Sequence, residues 1–388
     1  MFLSTVLTLL IGVLGTVLVV LVFRDLAGRI GLADRPDSRK RHEGEIPLVG
    51  GIAIFVAFSI CMVFAEMAVS MRYFLLAGGL LVVVGAVDDS ADLPPYVRLV
   101  LHVGSTLIMC LLGGVVVLSL GDLFLPGEQV LLGPLFSVLF TVFAVVALVN
   151  AVNMSDGLDG LASVQTLIPF ASLAIVAGLA GDMEHFLPLI ALCGCLIGFL
   201  FFNLRTPWRS KASVFLGDAG SSFLGFALAW FLIDMSQGPG AVIKPVSTLW
   251  FSLLLIYSTV EIVSRRLLRN RSPFKPDREH LHHVFILAGF SVSETVATLG
   301  VITLGGVLVG LAGTLLNIPE NILFAAFVMF GLLFLRVIFR TWRVMRFLQR
   351  SICRRRGERR DAPSGEWTGQ ERRKGRDRRE RRGARVSN

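Results

Sequence analysis

Four polar clusters interrupt a chain that is otherwise rich in apolar residues. They are Asp88-Asp89 and the segments 150–160, 217–220 and 280–283, which read NAVNMSDGLDG, GDAG and HLHH. Each lies beside a long apolar stretch, where carboxylates and imidazoles are costly, so the clusters indicate a functional site. Acids can hold a metal ion, and basic groups can hold phosphate. Together they point to phosphoryl transfer, which depends mainly on positioning and charge neutralisation.

The acidic pair Asp88-Asp89 ends the third apolar stretch. Two adjacent acids at a helix C-terminus oppose the helix dipole, which costs stability unless a cation compensates them. A divalent metal or a substrate proton is the natural compensation. A helix end whose polar residues simply enter water is the alternative, and the pair alone leaves it open.

The second cluster has the spacing of a helix face. Helical spacing places Asn150, Asn153 and Asp156, followed by Asp159, on one side of the inner end of the fifth stretch. Such oxygen ligands suit Mg²⁺, which takes one or two carboxylates together with substrate phosphates. A turn capped by Asn and Asp side chains is the alternative.

The third cluster places Asp218 among small residues at the start of the eighth stretch. Free amides at a helix N-terminus, with glycine allowing close approach, would seat a phosphate beside a metal-bound carboxylate. The alternative is a small-residue packing motif in which Asp218 caps the helix.

The fourth cluster combines three histidines with a basic loop. His280, His282 and His283 could bind zinc or hydrogen-bond phosphates, but no nearby cysteine supports a closed zinc site. The neighbouring arginines and lysines favour phosphate. A solvated loop whose charges serve only membrane topology is the alternative.

The apolar residues form runs of the length that crosses a bilayer. Of the 388 residues, 54% are hydrophobic and 17% charged, against about 25% charged in a soluble domain. About 20 residues cross a hydrocarbon core. Eleven runs are recognised: 2–23, 48–68, 73–87, 99–118, 134–152, 161–180, 186–203, 214–234, 246–263, 294–316 and 321–339. The sequence predicts an all-α integral membrane protein with about eleven transmembrane helices.

Lysine and arginine are divided unequally between the two sides. The loops 24–46, 88–98, 204–212 and 265–283 hold sixteen of them, whereas the loops on the other side hold only Arg72 and Lys244. Because cytoplasmic loops carry the excess of positive residues, the N-terminus is predicted outside and the C-terminus in the cytoplasm. All four clusters then face the cytoplasm.

Residues 1–345 are predicted to form one multi-spanning domain, because no loop between runs is long enough for a separate core. Residues 346–388 are predicted to be a basic, disordered cytoplasmic tail with few apolar residues. The basic residues nearest the bilayer favour membrane lipids as its partner rather than nucleic acid.

In this order, the clusters resemble those of the polyprenyl-phosphate N-acetylhexosamine-1-phosphate transferase superfamily, also called the glycosyltransferase 4 family. The resemblance runs from residue 1 to about 345 and also includes the segment 39–51, which reads RKRHEGEIPLVGG. Within the superfamily the chain looks closest to the branch that uses undecaprenyl phosphate and UDP-GlcNAc. The branch that uses UDP-MurNAc-pentapeptide is more distant.

The resemblance implies transfer of an N-acetylhexosamine 1-phosphate, foremost GlcNAc-1-phosphate, from a UDP-N-acetylhexosamine to undecaprenyl phosphate. UMP is released, Mg²⁺ or alternatively Mn²⁺ is required, and the product begins O-antigen or other envelope polysaccharide synthesis. The expected location is the bacterial cytoplasmic (inner) membrane, with the active site facing the cytoplasm. A homodimer is one assembly that the sequence leaves open.

The resemblance also implies roles for individual residues. The metal site would use Asn153 and Asp218. The catalytic acids would be Asp88 and Asp89 at the lipid phosphate, and Asp156 and Asp159 at the nucleotide. The phosphate-binding residues would be Lys40, Arg41, His42, His280, His282 and His283.

One departure from the family pattern bears on the donor. Relatives often carry an Asp in the ninth run where this chain has Ser258 followed by Thr259. This leaves room for another UDP-HexNAc donor, of the FucNAc or MurNAc-pentapeptide type. A membrane transporter is the non-enzyme alternative; it would predict acids near the bilayer midplane and repeat symmetry, whereas these acids lie at one face.

Overall fold

The computed structural model describes residues 2–34, 44–63, 68–270 and 280–355, and this part of the chain is almost entirely helical. Its elements in chain order are α1 (Phe2–Ile30), β1 (Ala33–Asp34), β2 (Ile46–Pro47), α2 (Gly50–Val63), α3 (Val69–Ala91), α4 (Pro95–Leu111), α5 (Pro134–Ser155), α6 (Leu161–Ala180), α7 (Met183–Asn203), α8 (Gly217–Asp234), α9 (Ser247–Phe251), α10 (Leu253–Leu268), α11 (Leu281–Leu287), α12 (Val292–Leu315) and α13 (Glu320–Arg355). The two short strands pair antiparallel.

Each of the eleven apolar runs contains a helix. Among the described residues, seven helices are long and apolar enough to cross a membrane, namely α1, α3, α5, α6, α7, α12 and α13, and α2 and α4 are shorter apolar helices. The ninth run is interrupted at Ser252, between α9 and α10. The chain is therefore a mostly helical, multi-pass membrane protein. The count of eleven crossings and the orientation stay predictions.

The ends of several helices, among them α3 and α4, differ from the sequence-based bounds. The third run is longer than predicted, because α3 continues through Asp88 and Asp89 as far as Ala91. The fourth helix ends at Leu111, and the chain soon turns at Gly114, which has a φ of 73°. Glycine adopts this left-handed conformation without steric cost, so it ends the helix before the apolar run is complete.

The last helix enters the segment that was predicted to be a tail. Helix α13 continues through Arg355, and residues 356–388 lie outside the described residues. The predicted disorder of that part therefore stays a prediction. Residues 1–336 form one compact unit, and a second unit begins at Val337.

Helix α8 is the centre of the larger unit. Residues 219–233 of this helix are all buried, which is typical of a helix that is apolar on every side. It packs mainly against α3 and α5. Phe74 of α3 contacts Trp230 of α8 edge to face, with ring centroids 5.3 Å apart. Such aromatic pairs add to the stabilisation from burial alone.

The two ends of α8 are held in different ways. Near its C-terminus, the imidazole of His185 lies between two carboxylates, with Nδ1 2.5 Å from Asp182 and Nε2 3.1 Å from Asp234. Near its N-terminus, backbones touch directly. A Cβ on Gly85 would overlap the backbone of Ala219, and one on Gly51 would overlap that of Gly220. The first turn of α8 is thus held between α2 and α3.

We predict that Gly85→Ala lowers the melting temperature and that Gly104→Ala does not. The new methyl group at position 85 meets backbone that cannot rotate away, and overpacking of this kind costs about 1–3 kcal/mol. Gly104 of α4 has no atom within 4 Å of its Cβ position, and alanine there gains up to ~1 kcal/mol of helix propensity. Thermal unfolding in one detergent compares the two variants. Equal melting temperatures would contradict the close contact of α3 with α8.

Candidate functional site

The structure brings the four clusters together at one end of the helical bundle. Asp88 and Asp89 lie in the last turn of α3, and Asn153 lies in the last turn of α5. Asp218 lies in the first turn of α8, and His282 lies in the first turn of α11. Direct contacts connect them into one site.

Arg98 is the cation that compensates Asp88. The Asp88 side chain is only 4% exposed, and its Oδ2 accepts a hydrogen bond of 2.8 Å from Arg98 Nη1. Its Oδ1 accepts one of 2.7 Å from the Leu93 amide. Arg98 Nη1 also lies 3.7 Å from Asp218 Oδ2. Arg98 is therefore a cationic partner of Asp88 within the protein, and the expected compensation by a metal or a substrate proton stays a prediction. From the sequence alone, Arg98 counts only towards the positive charge of its loop.

Asp89 binds the N-terminus of α8. Its two oxygens accept hydrogen bonds from the amides of Asp218 and Ala219, at 2.9 and 3.3 Å. A carboxylate stabilises a helix N-terminus through the helix dipole. Gly217 has a φ of 75°, and a Cβ there would lie 2.5 Å from Asp89. These two amides, which were predicted to seat phosphate, therefore bind Asp89.

Asn153 orients Asp218. The Asn153 Nδ2 donates hydrogen bonds to Asp218 Oδ1 at 2.5 Å and to Ser221 Oγ at 3.0 Å. The Asn153 amide oxygen and Asp218 Oδ2 take no part in these bonds, and oxygens of this kind suit Mg²⁺. Across the described ranges, no three or more His, Cys, Asp or Glu side chains form a metal cage. The residues fit an ion that completes its shell with water and substrate phosphates.

Asp156 follows α5 and adds negative charge to the same site. The half-buried Asp156 has its pKa raised to about 8 by burial and by the nearby charges of Asp218, Asp89 and Asp159. Asn150 does not belong to this face. It is exposed and donates to the Val146 carbonyl of its own helix, at 2.7 Å.

Asp159 is bound to the segment that follows α7. Its Oδ2 accepts hydrogen bonds of 2.6 Å from Arg205 Nε and 3.2 Å from the Ala212 amide. This ion pair fixes the loop that joins α5 to α6. It also gives Arg205 a place in the site that the sequence did not indicate.

Asn203 is a further residue that sequence reasoning missed. It is 4% exposed, accepts a hydrogen bond of 2.6 Å from the Gly160 amide and donates one of 2.8 Å to the Val214 carbonyl. It thereby connects the loop after α5 to the segment before α8. The one available signal was an amide side chain at the end of an apolar run.

The histidines lie against the loop that follows α5. His282 is 4% exposed, and its ring stacks on His280 with centroids 5.4 Å apart. A Cβ on Gly157 would lie 2.5 Å from His282 Nε2. Burial, followed by the neighbouring His283 and His280, lowers the pKa of His282 to about 3. His282 is therefore neutral at physiological pH, so its ring can take part in a hydrogen bond but carries no charge.

Three predicted phosphate contacts cannot be placed. Lys40, Arg41 and His42 lie outside the described residues, as does the segment 271–279 before the histidines. Ser258 and Thr259, at the departure from the family pattern, line a cavity together with His282.

The fold and the site define a helical membrane protein with a cluster of carboxylates at the ends of its helices. A sequence profile described as glycosyl transferase family 4 matches residues 71–236, which include all the site's acids. Three similar proteins are each named undecaprenyl-phosphate alpha-N-acetylglucosaminyl 1-phosphate transferase.

The relative from Yersinia pestis is 37% identical over 334 residues, which cover 85% of this chain and 90% of the relative. The relative from Salmonella typhi is 36% identical over 371 residues, and that from Escherichia coli K12 is 35% identical over 372 residues. Both alignments cover 94% of this chain and 99% of the relative. The chain belongs to glycosyl transferase family 4.

We predict that Arg98→Gln destabilises the protein and that adding Asp88→Asn restores part of the loss. Arg98→Gln leaves a buried carboxylate without its cation, which costs about 1–3 kcal/mol. Asp88→Asn removes the uncompensated charge, so the double variant should melt at a higher temperature than Arg98→Gln alone. The measurement is thermal unfolding of the purified proteins in one detergent. Losses that simply add in the double variant would contradict the pairing.

We predict that the protein loses stability between pH 6 and 9 when divalent cations are chelated. The pKa of Asp156 lies above its ordinary value of 3.8, so the folded protein holds this proton more tightly than the unfolded chain. That contribution is complete below about pH 4 and is lost as the pH rises through about 8. The melting temperature of Asp156→Asn should depend less on pH than that of the wild type. Added Mg²⁺ should reduce the pH dependence of the wild type.

The control for this experiment is Asp25→Asn, because the side chain of Asp25 is 80% exposed. The melting temperature of this variant should equal that of the wild type at each pH. If wild type and Asp156→Asn lose melting temperature equally between pH 6 and 9, Asp156 does not hold the proton.

Proposed function

We propose that the protein transfers N-acetylglucosamine 1-phosphate from UDP-GlcNAc to undecaprenyl phosphate and releases UMP. The observation that carries this proposal is the 37% identity across 90% of a relative named for this transfer. The site supports it independently, because Asn153, Asp156 and Asp218 offer oxygen ligands beside a guanidinium. Groups of both kinds are needed where phosphates react.

The reaction exchanges one phosphorus–oxygen bond for another. An oxygen of the lipid phosphate attacks the β-phosphorus of the donor, the bond from that phosphorus to the bridging oxygen breaks, and UMP leaves with the electron pair. A phosphate monoester has its second pKa near ~6, so the nucleophile is mainly a dianion at neutral pH. A strong general base is unnecessary, which suits a site whose Asp88 is already paired with Arg98.

Asp88 and Asp89 contribute by holding charged groups in position. Asp88 fixes the guanidinium of Arg98, whose free edge can face the lipid phosphate. Asp89 fixes the first turn of α8 and therefore Asp218. Their direct contact with the lipid phosphate stays a prediction.

Mg²⁺, with Mn²⁺ as the alternative, would be held by Asp218 and Asn153 near Asp156 and would neutralise charge on the phosphate oxygens. Asn153 fixes the direction of the Asp218 carboxylate through its hydrogen bond. Asp159 and Arg205 shape the nucleotide side of the site, and neutral His282 donates a hydrogen bond to the donor's phosphates. Lys40, Arg41 and His42 are proposed as further phosphate contacts.

We also propose eleven crossings with the site at the cytoplasmic face of a bacterial inner membrane. The helices α2, α4 and α8 and the broken pair α9–α10 would add four crossings to the seven long helices. Alternating crossings make the ends of the third and fifth spans and the start of the eighth face the same side, as their contacts require. The excess of Lys and Arg in the loops on that side supports the cytoplasm.

The purified protein should release UMP with the highest kcat/KM when UDP-GlcNAc is the donor. The panel contains UDP-GlcNAc, UDP-GalNAc, a 6-deoxy UDP-HexNAc and UDP-MurNAc-pentapeptide at equal concentrations, each with undecaprenyl phosphate and Mg²⁺. Asp218→Asn should lose turnover because it weakens the metal site, whereas Asp25→Asn should retain it. If the 6-deoxy UDP-HexNAc gives the highest kcat/KM, only the identity of the donor in this proposal changes. A preference for the pentapeptide donor, or no UMP with any donor, would overturn the proposal.

Cysteine labelling in intact cells tests the orientation. In a background without native cysteines, Glu128→Cys should react with a membrane-impermeant thiol reagent, because it lies in the loop between α4 and α5. Trp208→Cys, at a side chain that is 93% exposed, should react only after permeabilisation. The reverse pattern would show that the site faces outward.

A further inference from the structure

A narrow cavity lies between His282 and the helices that surround it. Its polar lining comes from the end of α5, from α6, from α10 and from the start of α11: Ser155, Gln165, Ser258, Thr259, His280 and His282. The space suffices for about one water molecule. The cavity lies outside the group of acids that forms the proposed metal site.

Two residues of this cavity carry buried polar atoms without a hydrogen bond. Gln165 is 3% exposed and His282 is 4% exposed. Within the described part of the chain, Oε1 of Gln165 and Nε2 of His282 have no hydrogen-bond partner. An unmet buried polar group costs about 1–3 kcal/mol. Proteins commonly meet such groups with a buried water that makes about three hydrogen bonds.

Ser258 is the third polar group that such a water can reach. It lines the same cavity on α10. The hydroxyl of its neighbour Thr259 already donates to the Leu255 carbonyl, at 2.8 Å. Ser258 can therefore complete a set of three partners with Gln165 and His282.

We propose that Gln165 and Ser258 position His282 through one buried water molecule and set which ring nitrogen carries its proton. The Oε1 of Gln165 only accepts, so one O–H of the water donates a hydrogen bond to it. The second O–H of the water donates a hydrogen bond to Nε2 of His282, and the water oxygen accepts a hydrogen bond from the Ser258 hydroxyl. All three groups are then satisfied.

This arrangement has a consequence for the reaction, which rests on the proposed function. A neutral imidazole that accepts at Nε2 must carry its proton on Nδ1. The Nδ1–H can then donate to a phosphate oxygen of the donor, which only accepts. In the opposite tautomer a lone pair on Nδ1 would face the phosphate and repel it. Gln165 and Ser258 are thus positioning residues for His282.

The first test reads the tautomer directly and needs no turnover. Full-length protein labelled with ¹⁵N-histidine is examined by NMR in nanodiscs without substrate at pH 7.5. The chain has six histidines, and the signals of His282 are those lost in His282→Gln. The wild type should show the Nδ1–H form. Gln165→Leu and Ser258→Ala should shift it towards the Nε2–H form.

The matched control is Ser172→Ala. Ser172 is on α6 like Gln165, but its hydroxyl donates to the Ile168 carbonyl of its own helix, at 2.8 Å, and it does not line the cavity. This variant should keep the wild-type tautomer. If Gln165→Leu does not fold, Gln165→Met provides the same test with a side chain of similar length.

The second test measures kinetics. Gln165→Leu and Ser258→Ala should each lower kcat about tenfold, the effect of one lost hydrogen bond, and leave the KM for undecaprenyl phosphate unchanged. Because both act through one water, the double variant should lose no more than either single variant. If the losses in kcat of the two single variants multiply in the double variant, the two residues do not act through one water.

The outcomes separate this inference from the proposed function. An Nε2–H tautomer in the wild type, or one tautomer in all the variants, overturns the positioning role even if the protein transfers GlcNAc-1-phosphate. A wild type that releases no UMP from any donor overturns the proposed function. The predicted change of tautomer would still uphold the positioning role.

Discussion

The hydrogen bonds from the Asp218 and Ala219 amides to Asp89 join the end of α3 to the start of α8, and the rest of the site depends on them. They place Asp218 where Asn153 and Arg98 can reach it. The bare backbones of Gly51 and Gly85 allow α2 and α3 to approach the same turn. The position of the proposed metal ligand is therefore set by backbone contacts, which permit little rearrangement, and not by loop contacts alone.

The charges of the site are consistent with the proposed metal ion. Asp88, Asp89, Asp156 and Asp218 are all at least partly buried, where like charges repel strongly. Arg98 pairs closely with Asp88 and lies farther from Asp218, and Asp89 is compensated by helix amides. Asp156 has no such partner in Arg98, and burial together with the charges of Asp218, Asp89 and Asp159 raises its pKa. A divalent ion between Asp218 and Asp156 would relieve the repulsion that the protein leaves in place.

The sequence predicts the helices better than it predicts their partners. Every apolar run contains a helix, because hydrophobic length is a strong local signal. The residue types of the clusters likewise indicated phosphate chemistry. The partner of Asp88, the binding of Asp89 to α8 and the role of Asn203 were not predictable. Asp89 and Asp218 are 129 positions apart, and such a contact depends on packing that spacing in one chain does not encode.

The candidate site lies at helix ends, and both the hydrogen bonding of the backbone and the nature of the reactants favour this position. A helix terminus leaves amides and carbonyls without partners, and where water is excluded they must find them within the protein. Here the Gly50 and Gly51 amides donate to the Phe215 and Leu216 carbonyls, and the Phe215 amide donates to Pro47. These bonds connect the segment before α2 to the segment before α8. Loops joined in this way can be polar enough to bind a nucleotide. The helices next to them remain apolar enough to contact a lipid chain, so one site can receive both reactants.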